Sequence, residues 1–215
     1  MSIETPLLYE SKGSPNARRV RFFIAEKGIH IPMKSVDLGA KEQFSEAYKT
    51  INPRSQVPAL ALADGTVITE VPAIWRYLEE AYPRAPLLGT TAKTRALVTM
   101  WERRAELDGF MPVMEGVRNA VAGLQGRALS GPHAYEQIPQ LIERSRQRVG
   151  HFFADFNERL ASVEFVAGDA FSAADITTLV TVDFAANALK MTIPAGHAAF
   201  QRWYDALSGR PGASA

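Results

Sequence analysis

The sequence predicts an α/β domain of order β-α-β-α-β-β-α followed by an all-α helical bundle, and three observations carry that expectation. Residues 1–84 alternate short strand and helix signals. The remainder is almost entirely helical in period. Between the two, YPRAPLLG from Tyr82 to Gly89 holds two prolines and a glycine, as a linker does. The expected domains are therefore 1–84 and 92–215, joined by 85–91. At 215 residues the chain exceeds one typical domain of about 100 to 150 residues, and 47% hydrophobic with 22% charged residues suits a chain that buries a core.

Leu7, Leu8 and Tyr9 form a short apolar run fit for a buried strand, with Tyr9 in its core, and Ser11 to Ser14 make a glycine-containing loop. Ser14-Pro15 reads as a helix start, Ser as cap and Pro at the first position, with Ala17, Val20, Phe23 and Ile24 on one face and Gly28 as stop. Met33 to Leu38 is a weaker strand and Glu42 to Tyr48 a short helix. Ala59 to Leu62 and Thr66 to Ile68 flank the Asp64-Gly65 turn of a hairpin. Ile74, Tyr77, Leu78 and Ala81 lie at i, i+3, i+4 and i+7 and predict a helix that ends before Pro83. Beyond the linker, Ala92 to Gly123 reads as one long helix that Pro112 should kink or break. Ile138 to Leu160 is a second. Ser172-x-x-Asp175 opens a third over Ile176 to Leu189 as a capping box with Asp in place of Glu or Gln, and Phe200 to Leu207 closes the bundle.

Composition excludes several functions. With 24 Lys plus Arg against 23 Asp plus Glu and no block of like charge, nothing marks a nucleic-acid surface. No apolar run reaches the roughly 20 residues of a membrane helix, and Met1 to Gly13 lacks a signal-type pattern, so a cytoplasmic protein is expected. The absence of cysteine removes disulfides, thiolate metal sites and protein-borne thiol chemistry together. If thiol chemistry occurs, the ligand brings the sulfur. His30, His133, His151 and His197 are scattered without metal-ligand spacing, and no nucleophile elbow or phosphate-binding glycine loop is present.

Asn52-Pro-Arg-Ser-Gln-Val-Pro-Ala-Leu sharpens the reading. A proline entering a strand cannot donate to the ladder. A cis Val57-Pro58 bond would turn the chain and leave the Val57 N–H and C=O free to pair with an extended peptide, the alternative being a trans proline at a strand start. The succession of a strand, Ser14-Pro-Asn-Ala-Arg-Arg-Val, Gln56-Val57-Pro58, Thr69-Glu70 before a helix, and Val166-Ala-Gly-Asp-Ala-Phe-Ser-Ala-Ala-Asp-Ile resembles the glutathione transferase superfamily over nearly the whole chain. Pro15-Asn-Ala-Arg-Arg-Val and Arg103-Arg-Ala-Glu-Leu are most similar to a fungal and bacterial branch of it.

That resemblance implies a thioredoxin-like N-terminal domain that binds glutathione as cosubstrate without a metal, and a helical domain lining a site for small hydrophobic electrophiles. Gln56, Val57 and Pro58 should hold the tripeptide's middle, Glu70 its γ-glutamyl end, and Gln43 its glycine carboxylate. Most relatives carry Glu-Ser where this chain has Glu70-Val71, so a hydroxyl donor is missing and backbone N–H groups at the helix start remain. Met111, Met114, Val117 and Arg118 should line the electrophile pocket, though methionines at helical spacing also build cores. A homodimer is implied, in which Glu106 and Asp108 would reach toward the partner's glutathione amino group.

Catalysis needs a donor that stabilises the thiolate, because a thiol of pKa near 8.5 ionises only by a few per cent at neutral pH. Ser14 occupies the position of the catalytic hydroxyl in serine-type relatives, against the alternative of a plain helix cap. Ser11 and Asn16 are the other candidates. The expected activity is glutathione conjugation. The alternatives are a non-catalytic binding or regulatory protein and a glutathione-dependent isomerase, peroxidase or lyase.

Overall fold

A computed structural model describes residues 5–215; residues 1–4, where the expected first domain begins, lie outside the described residues. The described chain divides into two compact units. The first runs to Pro86 and includes Ser130–Pro132 and Ala215; the second holds Leu87–Leu129 and His133–Ser214.

In the first unit, β1 (Leu7–Glu10), α1 (Pro15–Glu26), β2 (Met33–Ser35), a 3-10 turn (Glu42–Phe44), α2 (Glu46–Lys49), β3 (Ala59–Ala61), β4 (Val67–Thr69) and α3 (Val71–Ala81) follow the expected thioredoxin-like order. The sheet order is β2-β1-β3-β4, with β1 parallel to β2 and antiparallel to β3, and β3 antiparallel to β4. The hairpin closes at Gly65, whose φ of 86° suits glycine, while Asp64 accepts the Thr66 N–H at 2.8 Å. Leu8 and Leu60, paired across β1 and β3, are buried, as are Phe23, Ile74, Trp75 and Leu78 of the two long helices. Phe23 stacks on Trp75 with ring centroids 5.4 Å apart, and the buried Arg19 guanidinium lies 5.1 Å from the Trp75 ring. Lys27, at the end of α1, donates to Glu79 at 2.7 Å and to the Arg84 and Ala85 carbonyls, which ties α1 to α3 and to the chain that leaves it. Tyr9 is half-buried rather than a core residue, and packs edge-on to Tyr48 at 6.1 Å.

The second unit comprises α4 (Ala92–Arg104), α5 (Met111–Ala120), α6 (Gln140–Leu160), α7 (Ala173–Phe184) and α8 (Ala198–Ser208). Pro112 does not break the helix it lies in. A π-helical turn over Ala105–Phe110 precedes it, in which the Met111 N–H reaches back to the Glu106 carbonyl, and the widened turn accommodates a residue without an N–H. Gly109 sits in this turn against Phe152; a Cβ there would lie 2.7 Å from the ring, so only glycine fits. α7 is buried on nearly every side, and Phe152, Phe156, Phe200 and Trp203 pack into one aromatic cluster.

Asp175 anchors the start of α7. Its buried carboxylate accepts from Val166 N–H (2.8 Å), Ser172 N–H (3.0 Å), the Ser172 hydroxyl (3.1 Å) and Trp203 Nε1 (3.0 Å), so the predicted capping box is also the hub that joins α7 to α8. Burial pushes its pKa up to about 6 against the pull of those four donors.

Candidate functional site

Strand register assembles the candidate residues of the first unit. Tyr9 pairs with Ala59 and Ala59 with Thr69, so the end of β1, the start of β3 and the end of β4 lie side by side. The loop Ser11–Ser14, the pair Val57-Pro58 and Glu70 therefore emerge at one end of the sheet. β2 runs parallel to β1 and ends at the same side, and the chain continues from it toward Gln43.

Ser14 caps α1: its backbone is extended (φ −90°, ψ 117°) and its Oγ accepts the Ala17 N–H at 3.3 Å. An accepting hydroxyl oxygen keeps its proton, and the Ser14 O–H has no acceptor among the described residues. Cap and donor are compatible roles for this one side chain. Ser14 is 7% exposed, and its N–H donates to the carbonyl of Ser11, which is itself buried. Asn16 Oδ1 accepts from Arg19 Nη1 at 3.1 Å, which turns the Asn16 oxygen toward the buried guanidinium.

The Val57-Pro58 peptide is cis. The Val57 N–H and C=O enter no hydrogen bond among the described residues, while the Val57 side chain packs with Val36 and Tyr48. The carbonyl before it is held twice, by Tyr48 Oη at 2.7 Å and Asn52 Nδ2 at 2.8 Å, both on the Gln56 oxygen. Gln56 Nε2 donates to Ser130 Oγ at 2.8 Å. Burial pushes the Tyr48 pKa up to about 12, so the phenol stays protonated as a donor. Asn52 also accepts the Arg54 N–H at 3.0 Å, an Asx turn that shapes the approach to Ser55 at φ 54°.

Glu70 is exposed at φ 69°, a conformation that costs a non-glycine residue about 1 kcal/mol or more. Its carbonyl takes the N–H groups of Ala73 (3.1 Å) and Ile74 (3.0 Å), and Pro72 has none. Of the N–H groups at the first turn of α3, that of Val71 has no partner among the described residues, and the Val71 side chain is 4% exposed. Gln43 is buried, and its Oε1 has no hydrogen-bond partner among the described residues.

On α5, Pro112, Val113, Gly116 and Asn119 face inward. Met111 is 46% exposed, and Met114, Val117 and Arg118 are half-buried, so Met111 is no core methionine. Glu106 pairs with Arg103 at 2.6 Å and Asp108 is exposed. Among the described residues no group of His, Asp and Glu could hold a metal ion, and no helix is long and apolar enough to cross a membrane.

Sequence reasoning missed three residues that shape this end of the sheet. Asn52 carried a readable signal, the Asx-turn tendency of Asn before Pro-Arg-Ser. Tyr48 read only as the end of a short helix, and Ser130 lies 74 residues from the side chain it bonds.

Comparison with known proteins agrees with this architecture. The glutathione S-transferase N-terminal domain family model matches residues 13–81, and the C-terminal domain model matches 139–206. The chain is 31% identical to Glutathione S-transferase 2 of Saccharomyces cerevisiae over 95% of its length and 86% of that protein. It is 37% identical to a maleylacetoacetate isomerase of Pseudomonas aeruginosa, over 75% of this chain and 69% of that one. A glutathione S-transferase domain-containing protein of Marinobacter aquaeolei superposes with a TM-score of 0.88 at 32% identity, covering 96% of this chain and 99% of the other. With both domain models matched in order and relatives spanning nearly its full length, the chain belongs to the glutathione S-transferase family.

Proposed function

We propose that the chain is a glutathione transferase that conjugates the glutathione thiolate to small hydrophobic electrophiles. The observation that carries this is the gathering, at one end of the sheet, of an unpaired Val57 backbone, the free Ser14 hydroxyl proton and Glu70. The Val57 N–H and C=O pair with the cysteinyl unit as a strand pairs with an extended peptide, with Gln56 and Pro58 on either side. Glu70 receives the γ-glutamyl ammonium, the Val71 N–H its carboxylate, and Gln43 the glycine end. The Ser14 O–H donates to sulfur, which lowers the thiol pKa and holds the thiolate for attack. Met111, Met114, Val117 and Arg118 receive the electrophile. The working form is a cytoplasmic homodimer, with Glu106 and Asp108 turned toward the partner's glutathione.

The isomerase relative favours a second reading, a glutathione-dependent isomerase, in which the same thiolate adds to the substrate and leaves again. Following free thiol with 1-chloro-2,4-dinitrobenzene as electrophile separates the readings. A transferase consumes one thiol per product, an isomerase turns its substrate over without consuming thiol, and a binding protein does neither. No thiol consumption above the uncatalysed rate with any of several electrophiles would overturn the transferase.

A further inference from the structure

Arg21 lies on α1 about two turns beyond Ser14, on the same side of the helix, and reaches back to the loop that carries Ser14. Its Nη1 donates to the carboxylate of Glu10, the last residue of β1, and to the Ser11 carbonyl at 3.3 Å, while its Nη2 donates to the Lys12 carbonyl at 3.5 Å. The Arg21 and Glu10 side chains are 11% and 7% exposed, so the pair is largely out of water.

The loop has little else to fix it. Its turn is closed by one bond, from the Ser14 N–H to the Ser11 carbonyl at 2.9 Å, and Gly13, which brings no restraint of its own, makes no hydrogen bond among the described residues. Ser14 Oγ takes the Ala17 N–H and so moves with α1. The Ser11 carbonyl accepts twice, from Ser14 inside the turn and from Arg21 on the helix. An ion pair that only stitched α1 to β1 would need one nitrogen on Glu10. Here the same planar fork also spans two consecutive carbonyls of the loop, which a compact ammonium does not match.

We propose that Arg21 is a positioning residue, which fixes the Ser11–Ser14 turn against α1 so that the Ser14 hydroxyl meets the thiolate in one orientation. Arg21 acts through Ser14 and not on glutathione. The inference rests on the transferase reading for the role of Ser14, and on the bonds of the loop for that of Arg21. A donor displaced by about 1 Å suffices to cost about 100-fold in rate.

Removing one partner of a buried pair strands the other, so the main variant is Glu10→Gln/Arg21→Met, which discards the charges and the fork together. Glu10→Gln alone keeps the fork, and Arg21→Lys keeps the charge. Each is compared with the wild type in the thiolate absorbance of bound glutathione and in kcat and KM with 1-chloro-2,4-dinitrobenzene. Amide exchange by NMR is followed at Ser14 and, as a measure of the first unit's stability, at Ile74, whose N–H donates to the Glu70 carbonyl in α3.

In Glu10→Gln/Arg21→Met the bound thiol is expected to titrate about half a unit or more closer to free glutathione, and kcat to fall about 10- to 100-fold with the KM for glutathione within about threefold. Ser14 should exchange about tenfold or more faster relative to Ile74. Arg21→Lys should lie between, and Glu10→Gln near the wild type; these two carry the same comparison should the double variant not fold. In a Ser14→Ala background the double change should not move the thiol further, because the donor it positions is gone. Unchanged Ser14 exchange relative to Ile74, a wild-type thiol pKa and kcat, a loss confined to the KM for glutathione, or an equal effect with and without the Ser14 hydroxyl would each overturn the proposal. A thiol pKa that Ser14→Ala alone leaves in place would instead defeat the donor reading, a result obtained without any Arg21 variant. The hold of Arg21 on the turn is still tested in that case, faster Ser14 exchange supporting it and unchanged exchange overturning it.

Discussion

Tyr48 and Gln56 are eight residues apart, and the Tyr48 hydroxyl donates to the Gln56 carbonyl at 2.7 Å. With Asn52 on the same oxygen, this bond sets the peptide that leads into Val57, the residue whose backbone we assign to the ligand.

Removing the hydroxyl in Tyr48→Phe is expected to cost about 1 kcal/mol of stability, because Asn52 still satisfies the carbonyl, and to weaken glutathione binding several-fold. The alkaline limb should change with it. The folded pKa of Tyr48 is raised by burial from the ordinary 10.0 to about 12, so its contribution to stability is present in full below pH 10 and is lost as pH rises through 12. Denaturant unfolding on both sides of that window should show a steeper loss in the wild type than in Tyr48→Phe. Parallel curves would contradict the assignment.

At the opposite end of the pH scale, Asp175 is the group to follow. Its folded pKa lies near 6 against an ordinary 3.8, so its carboxylate favours the folded state most when protonated, and that contribution fades as pH rises from about 4 through 6. Asp175→Asn should lack this slope. Asp175→Ala, which strips an acceptor from four donors, is expected to cost about 3 kcal/mol or more and lower Tm accordingly. A melting temperature within a degree or two of wild type would show that the hub carries no weight.

Val71→Ser tests a trade between stability and binding. The buried valine gives up roughly 1 to 2 kcal/mol of apolar burial, while the new hydroxyl adds a donor where α3 offers the Val71 N–H alone. Glutathione affinity by calorimetry should rise about tenfold as Tm falls. Unchanged affinity would place the γ-glutamyl carboxylate elsewhere.

The two roles of Ser14 separate by substitution. Ser14→Ala is expected to cost about 1 kcal/mol of stability as a lost cap, and to lower turnover roughly 10- to 1000-fold as a lost thiolate donor. Glycine caps nearly as well as serine, so Ser14→Gly should recover most of the stability and none of the turnover. Turnover that recovers together with stability would reduce Ser14 to a cap, and the same measurements on Ser11→Ala and Asn16→Ala would then identify the donor.

Much of this was legible in the sequence because it rests on local rules. Ser14-Pro15 announced the start of α1, Asp64-Gly65 the hairpin, and Ser172-x-x-Asp175 the start of α7, since each depends on residues within a turn of one another. Legibility failed where partners are distant or where backbone geometry intervenes. Nothing near Gln56 indicated that Ser130 would hold its amide or that Tyr48 would reach its carbonyl. The π turn before Pro112 was not foreseen because the rule for proline in a helix concerns one missing N–H, and a wider turn removes the need for it.

The most direct measurement is the ionisation of glutathione bound to the wild-type protein, followed by the ultraviolet absorbance of its thiolate as pH is raised. If Val57 and Ser14 hold the tripeptide as proposed, the bound thiol should titrate about one unit or more below its free value near 8.5, and Ser14→Ala should move it back toward that value. A bound thiol that titrates like free glutathione, or the absence of binding at millimolar concentration, would contradict the assignment of this site.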